Sequence, residues 1–199
     1  MRLAHMHNAK SREHAHTCRK ARAIFKLRYK KNEFTGAIDL ERLPKSMVIL
    51  AVSYNHLSGS LKLESLPDTL TLFDGSENKF TGSVDLTQLP VGLVFLNLEK
   101  NQLSGSAVLT QLPASLEVLN LLDNQFSGAL DLTRLPPNMS HLYAGNNSFS
   151  GTVDLSHLPQ GLRRLCLSEN ELSGKVFISD ALFDYVEVEN TKLLKRHME

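Results

Sequence analysis

The chain has 199 residues, 42% of them hydrophobic and 22% charged, a balance that allows a sizeable buried core and excludes a disordered or collagen-like chain. Its net charge of +1 hides an asymmetry: residues 1–31 carry ten Lys/Arg against the single acid Glu13, a net of +9, whereas residues 32–199 sum to −8. No apolar run approaches the ~20 residues a membrane-spanning helix needs, and the start lacks the apolar stretch of a secretory signal.

In chain order, residues 1–23 form a basic, His-rich arm with no repeat pattern, in which Ser11 is a candidate cap for a short helix. His5, His7, His14, His16 and Cys18 lie close together there, but nothing in the arm's pattern would hold metal ligands in fixed geometry, and no metal is expected. From residue 24 to 184 the sequence repeats every 23 residues. Asn recurs at Asn32, Asn55, Asn78, Asn101, Asn124, Asn147 and Asn170. Gly keeps the same step from Gly36 to Gly174, and Pro from Pro44 to Pro159. Three columns sharing one period mean seven stacked units of a solenoid. Beyond them, Leu182 stands where Pro is due and Leu193 where Asn is due, so residues 185–199 are expected to form a degenerate cap and tail, with YVEVEN still alternating like a strand.

One unit, Leu93 to Ser115, reads LVFLNLEKNQLSGSAVLTQLPAS. Its LxxLxLxxN half resembles the leucine-rich repeat family, and the NxFSGxLDLxxLP continuation resembles the plant-type subclass and the repeat proteins of kinetoplastid protists. The similarity covers about residues 24–184. It implies an α/β-type repeat solenoid that is rich in β structure. A curved parallel sheet would line the concave side, with second short strands and turns or 3-10 segments on the convex side. It implies macromolecule binding without naming the partner, because the fold serves many.

The column after Asn (Phe34, Leu57, Phe80, Leu103, Phe126, Phe149, Leu172) is expected to form a buried spine, and Asn to bond backbone groups of adjacent coils at the turn. In LxxLxL, alternate side chains leave the concave sheet. Read down the stack, the first such column is Lys26, Ile49, Leu72, Phe95, Val118, His141 and Arg164. Ile49, Leu72, Phe95 and Val118 are apolar where the repeat does not demand it. Beside them lie Asp74, Asn97, Glu99, Asn120 and Tyr143. An apolar strip of a few hundred Å² with a polar border is the pattern of a protein-docking site. The plainer account is cross-strand packing alone.

Toward the N-terminus the face turns basic at Lys26, Arg28, Lys30 and Lys31, which with the arm would attract nucleic acid or an anionic surface. The aromatic interleaving of single-strand binders is missing. Asp39, Asp85, Asp131 and Asp154 recur in one convex column and are taken as solubilising. His141, Tyr143 and Cys166 cluster on an open sheet with no water-excluding pocket, so the chain is not expected to be an enzyme and needs no cofactor. Two cysteines without paired caps point to a reducing compartment. The expectation is therefore a monomeric, intracellular, cytoplasmic protein-interaction scaffold. Mitochondrial import is the alternative meaning of the basic arm.

Overall fold

The computed structural model describes residues 25–198; the arm and its His/Cys cluster lie outside the described residues, as does Glu199. Among the described residues sixteen strands alternate between two parallel sheets. Those of the concave sheet are β1 (Phe25–Arg28), β3 (Met47–Ala51), β5 (Leu72–Asp74), β7 (Phe95–Asn97), β9 (Val118–Asn120), β11 (His141–Tyr143), β13 (Arg164–Cys166) and β15 (Val186–Glu187). Those of the convex sheet are β2 (Thr35–Ala37), β4 (His56–Gly59), β6 (Lys79–Gly82), β8 (Gln102–Gly105), β10 (Gln125–Gly128), β12 (Ser148–Gly151), β14 (Glu171–Ile178) and β16 (Lys192–His197). Among the described residues there is no α-helix. The helical part of the expected α/β architecture is reduced to three 3-10 turns at Leu40–Arg42, Leu63–Ser65 and Phe183–Tyr185.

Each coil spends its apolar residues inward. The spine from Phe34 to Leu172 is buried throughout, and Phe126 stacks on Phe149 with ring centroids 6.1 Å apart. Between the sheets the chain must turn without ladder partners, and two columns solve this. The residue before each Asn takes a left-handed backbone, from Lys31 (φ 55°) to Glu169 (φ 55°). The Asn side chain then does what a ladder would. Asn101 Oδ1 accepts the N–H of Phe80 in the preceding coil (3.0 Å), and its amide donates to the carbonyls of Gly75, Leu98 and Glu99. Asn55, Asn78, Asn124, Asn147 and Asn170 repeat this set of bonds. Among the described residues no buried side-chain nitrogen or oxygen lacks a partner.

The convex Asp column has a structural task as well as a solvated one. Asp85, Asp131 and Asp154 each accept the backbone N–H and the hydroxyl of the residue two positions on, Thr87, Thr133 and Ser156, and Asp39 accepts from the N–H of Glu41. These are Asx turns that lead the chain out of the convex sheet.

Residues 185–198, expected as a degenerate cap with a strand-like YVEVEN, form one further coil: β15 extends the concave sheet and β16 the convex one. The period contracts there. The left-handed column continues at Asn190 (φ 54°), 21 residues after Glu169, and Thr191 follows it where Asn is due. The Thr191 hydroxyl donates to the Val188 carbonyl three residues back, as the Asn170 amide donates to Leu167.

Candidate functional site

Register puts the first concave column side by side: Ile49 pairs with Leu72, Leu72 with Phe95, Phe95 with Val118, Val118 with His141 and His141 with Arg164. The side chains from Ile49 through His141 are half-buried and Arg164 is exposed. Alternate residues Leu50, Phe73, Leu96, Leu119 and Leu142 point inward and are fully buried. The strip is therefore one continuous surface, held by a packed core and presented without rearrangement.

The strip is not uniform along its length. Its middle part opens into a shallow hollow of about 450 Å³, lined by Phe95, Glu99, Val118, Asn120, Leu122, His141 and Tyr143. Its floor is apolar and its border polar. Glu99 accepts a bond from the Asn120 amide (3.0 Å), while Asn97 and Asn120 accept the N–H groups of Glu99 and Leu122. The two asparagines thus shape the turn that sets Glu99 and Leu122 in place. At the far border the His141 and Tyr143 rings lie 6.0 Å apart, the Arg164 guanidinium sits 5.8 Å from the Tyr143 ring, and Arg164 is paired to Glu187 at 2.8 Å. Leu122 was absent from the sequence-derived site. It stands one 23-residue step after Glu99, beside the hollow rather than in the strip of Ile49, Leu72, Phe95 and Val118.

Asp74 departs from its expected role at a binding border. It is only 6% exposed and fully engaged, accepting from Ser53 Oγ (3.0 Å) and Ser76 Oγ (2.7 Å) and pairing with Lys30 at 2.7 Å. Burial alone would push its carboxyl up. The hydrogen bonds and charge of Lys30, with the two serines, outweigh that and hold it below the usual carboxylate range. The signal was present in sequence: in the neighbouring column Ser76 stands in Asp74's own coil, Ser53 one coil before it and Lys30 two coils before.

The basic end is only partly available. Lys26 and Arg28 are exposed, Lys30 is committed to Asp74, and Lys31 lies in the left-handed turn with its ammonium 5.8 Å from the Tyr54 ring. Cys166 is buried at 9% exposure, and burial pushes its thiol up, opposite to what a nucleophile needs. Gly145 beside it explains the tightness: a Cβ there would lie 2.9 Å from Cys166 Sγ and 3.0 Å from Leu122 Cδ1. Among the described residues no group of three or more His, Cys, Asp or Glu converges as a metal site, and no helix is long and apolar enough to cross a membrane.

No protein-family model and no curated protein matches the chain. Solved structures do. The leucine-rich repeat ectodomain of the Arabidopsis receptor kinase HAESA, in complex with an N-terminally extended IDA peptide hormone, is 29% identical over 85% of this chain and 30% of that one, with a TM-score of 0.67. A TDR receptor (22% identity, 88% and 34% coverage, TM-score 0.57) and a plant ice-binding protein (20%, 84% and 64%, TM-score 0.52) share the fold. The chain spans about a third of the length of the receptor ectodomains it matches. With the 23-residue period, the Asn ladder and the paired parallel sheets, this similarity gives the chain the leucine-rich repeat fold, with repeats like those of plant-type ectodomains.

Proposed function

We propose that the chain is a non-catalytic protein-interaction module that receives its partner on the concave face, over the hollow between Phe95 and Tyr143. The observation that carries this reading is the half-exposed apolar floor of Phe95, Val118 and Leu122, ringed by Glu99, Asn120, His141 and Tyr143, on a sheet whose other face is fully buried. A preformed surface loses little conformational entropy on docking, so modest contact area yields useful affinity. The HAESA ectodomain, which is bound to a peptide hormone, supports the class of ligand.

Proximity labelling followed by direct titration of the captured protein tests it. Phe95→Ala should weaken binding by about 2 kcal/mol, roughly 30-fold, with the thermal unfolding midpoint little changed. Full affinity in that variant removes the concave hollow as the site. A second reading rests on exposed Lys26 and Arg28: an anionic partner, nucleic acid included, held by the basic end together with residues 1–24. Salt separates the two, since charge-driven binding falls steeply as salt rises and apolar docking does not.

A further inference from the structure

The seventh coil departs from the others in how far its convex strand runs. The column that supplies the Asx turns at Asp39, Asp85, Asp131 and Asp154 holds Phe177 there, as it holds Lys62 in the second coil and Val108 in the fourth. Phenylalanine offers no acceptor to turn the chain. Strand β14 runs on to Ile178 and pairs with β16 over six consecutive residues, from Ser173↔Lys192 to Ile178↔His197, whereas the other convex pairs span two or three. Val176 and Ile178 point inward and are buried. The outward residues meet in a chequered arrangement, Lys175 beside Leu194 and Phe177 beside Arg196.

That corner is both apolar and cationic. Phe177 and Leu194 are each 52% exposed and Met198 is 44% exposed, although the repeat gives no reason to expose large apolar groups. A shallow hollow of about 520 Å³ lies among Lys175, Phe177, Arg196, His197 and Met198. Asp180 pairs with His197 Nδ1 at 2.7 Å. Among the described residues Lys175, Lys192 and Arg196 have no ion-pair partner. Among the described residues β16 is the outermost strand of its sheet, and no described strand covers its outer edge.

We propose that this corner is a second docking site. It takes an acidic, extended segment of a partner protein, which adds to β16 as a further strand. Its carboxylates meet Lys192 and Arg196, and an apolar side chain seats between Phe177, Leu194 and Met198. Strand addition to an open edge draws affinity from the main chain and selectivity from alternate side chains. Charge selects the occupant. A second copy of this chain would bring the same lysines and arginine to the edge, and cationic edges are a known guard against self-pairing. An acidic segment is attracted by what repels a copy.

An array of hexapeptides alternating Asp or Glu with apolar residues, titrated against the full chain, provides the test. A matched array with Lys or Arg in place of the acids is the control. The expected result is selective binding of acidic members, weakened at least tenfold by Arg196→Glu and by Phe177→Ser, with slowed amide exchange along β16. Thermal unfolding of both variants should match the parent, since the two side chains are surface-exposed. Binding no better than the cationic array overturns the proposal. So does binding indifferent to both variants, or capture by phosphatidylserine vesicles without any peptide selectivity. The site is on the opposite sheet from Phe95, so Phe95→Ala leaves this binding intact and the two proposals fail independently.

Discussion

Replacing Asn101 with Ala removes the turn's substitute for a ladder at the centre of the stack, and its cost follows from which groups lose their only partner. The Gly75 carbonyl keeps a bond from Asn78, the Leu98 carbonyl one from Asn124, and the Glu99 carbonyl one from the Glu77 N–H. Only the Phe80 N–H is left with nothing, buried beside the spine. Orphaning one buried donor costs about 1–3 kcal/mol, and losing the amide's bonds to carbonyls that stay satisfied adds about 1 kcal/mol more. The sum, about 2–4 kcal/mol, is a large part of the 5–15 kcal/mol typical of a folded domain.

Asn32 is the internal control. Among the described residues its amide donates to the Lys30 carbonyl alone, an exposed bond, so Asn32→Ala should cost less than about 1 kcal/mol. Urea unfolding followed by circular dichroism measures both variants, and equal slopes would show that the unfolded state is unchanged. If Asn101→Ala proves as mild as Asn32→Ala, the asparagine column does not hold the coils together in the way its bonds imply.

Three further outcomes follow from the concave face. Gly145→Ala should lower stability by about 1–3 kcal/mol, because the new methyl meets Cys166 Sγ, Leu122 Cδ1 and the Ser168 carbonyl; adding Cys166→Ala should recover part of the loss in thermal melts. The Asp74 carboxyl is held below its ordinary value in the folded chain, so its contribution is present above that value and is lost as pH falls through the folded one. Acid unfolding of the parent should therefore include a component below about pH 4 that Asp74→Asn abolishes. Burial raises the Cys166 thiol, so a disulfide reagent at neutral pH should label it much more slowly than a free cysteine, and quickly only in denaturant.

Much of this was visible in the sequence because a solenoid turns period into position. The Asn, Gly and Pro columns fixed the coil, and alternation within LxxLxL was enough to align Ile49, Leu72, Phe95 and Val118 on one face. The same reliance on a constant step left the register of the eighth coil unread. A two-residue contraction moves the Asn position from residue 193 to Thr191, which makes only part of the asparagine's bonds. The burial of Asp74 and the place of Leu122 in the hollow were not legible for a related reason. Columns give neighbours along the stack but not depth, and depth depends on whether flanking residues are small, as Ser53 and Ser76 are, or long, as Lys30 is.

The departures from the repeat are where recognition is best sought. Positions that hold the coil together are constrained by every neighbouring coil: an asparagine bonds backbone groups of its own and the preceding coil, and a spine residue touches the coils on both sides. Outward positions carry no such obligation, so what they contain is free to answer to a partner. Phe95 and Val118 are in register on one sheet, and Phe177 stands diagonally from Leu194 on the other, at positions where other coils carry Lys, Arg, Ser or Asp. Converting each pair to serine should therefore leave unfolding almost unchanged while removing a different binding event. A large loss of stability from either double variant would mean that the exposed apolar groups serve the solenoid itself, and the separation between scaffold and surface would fail.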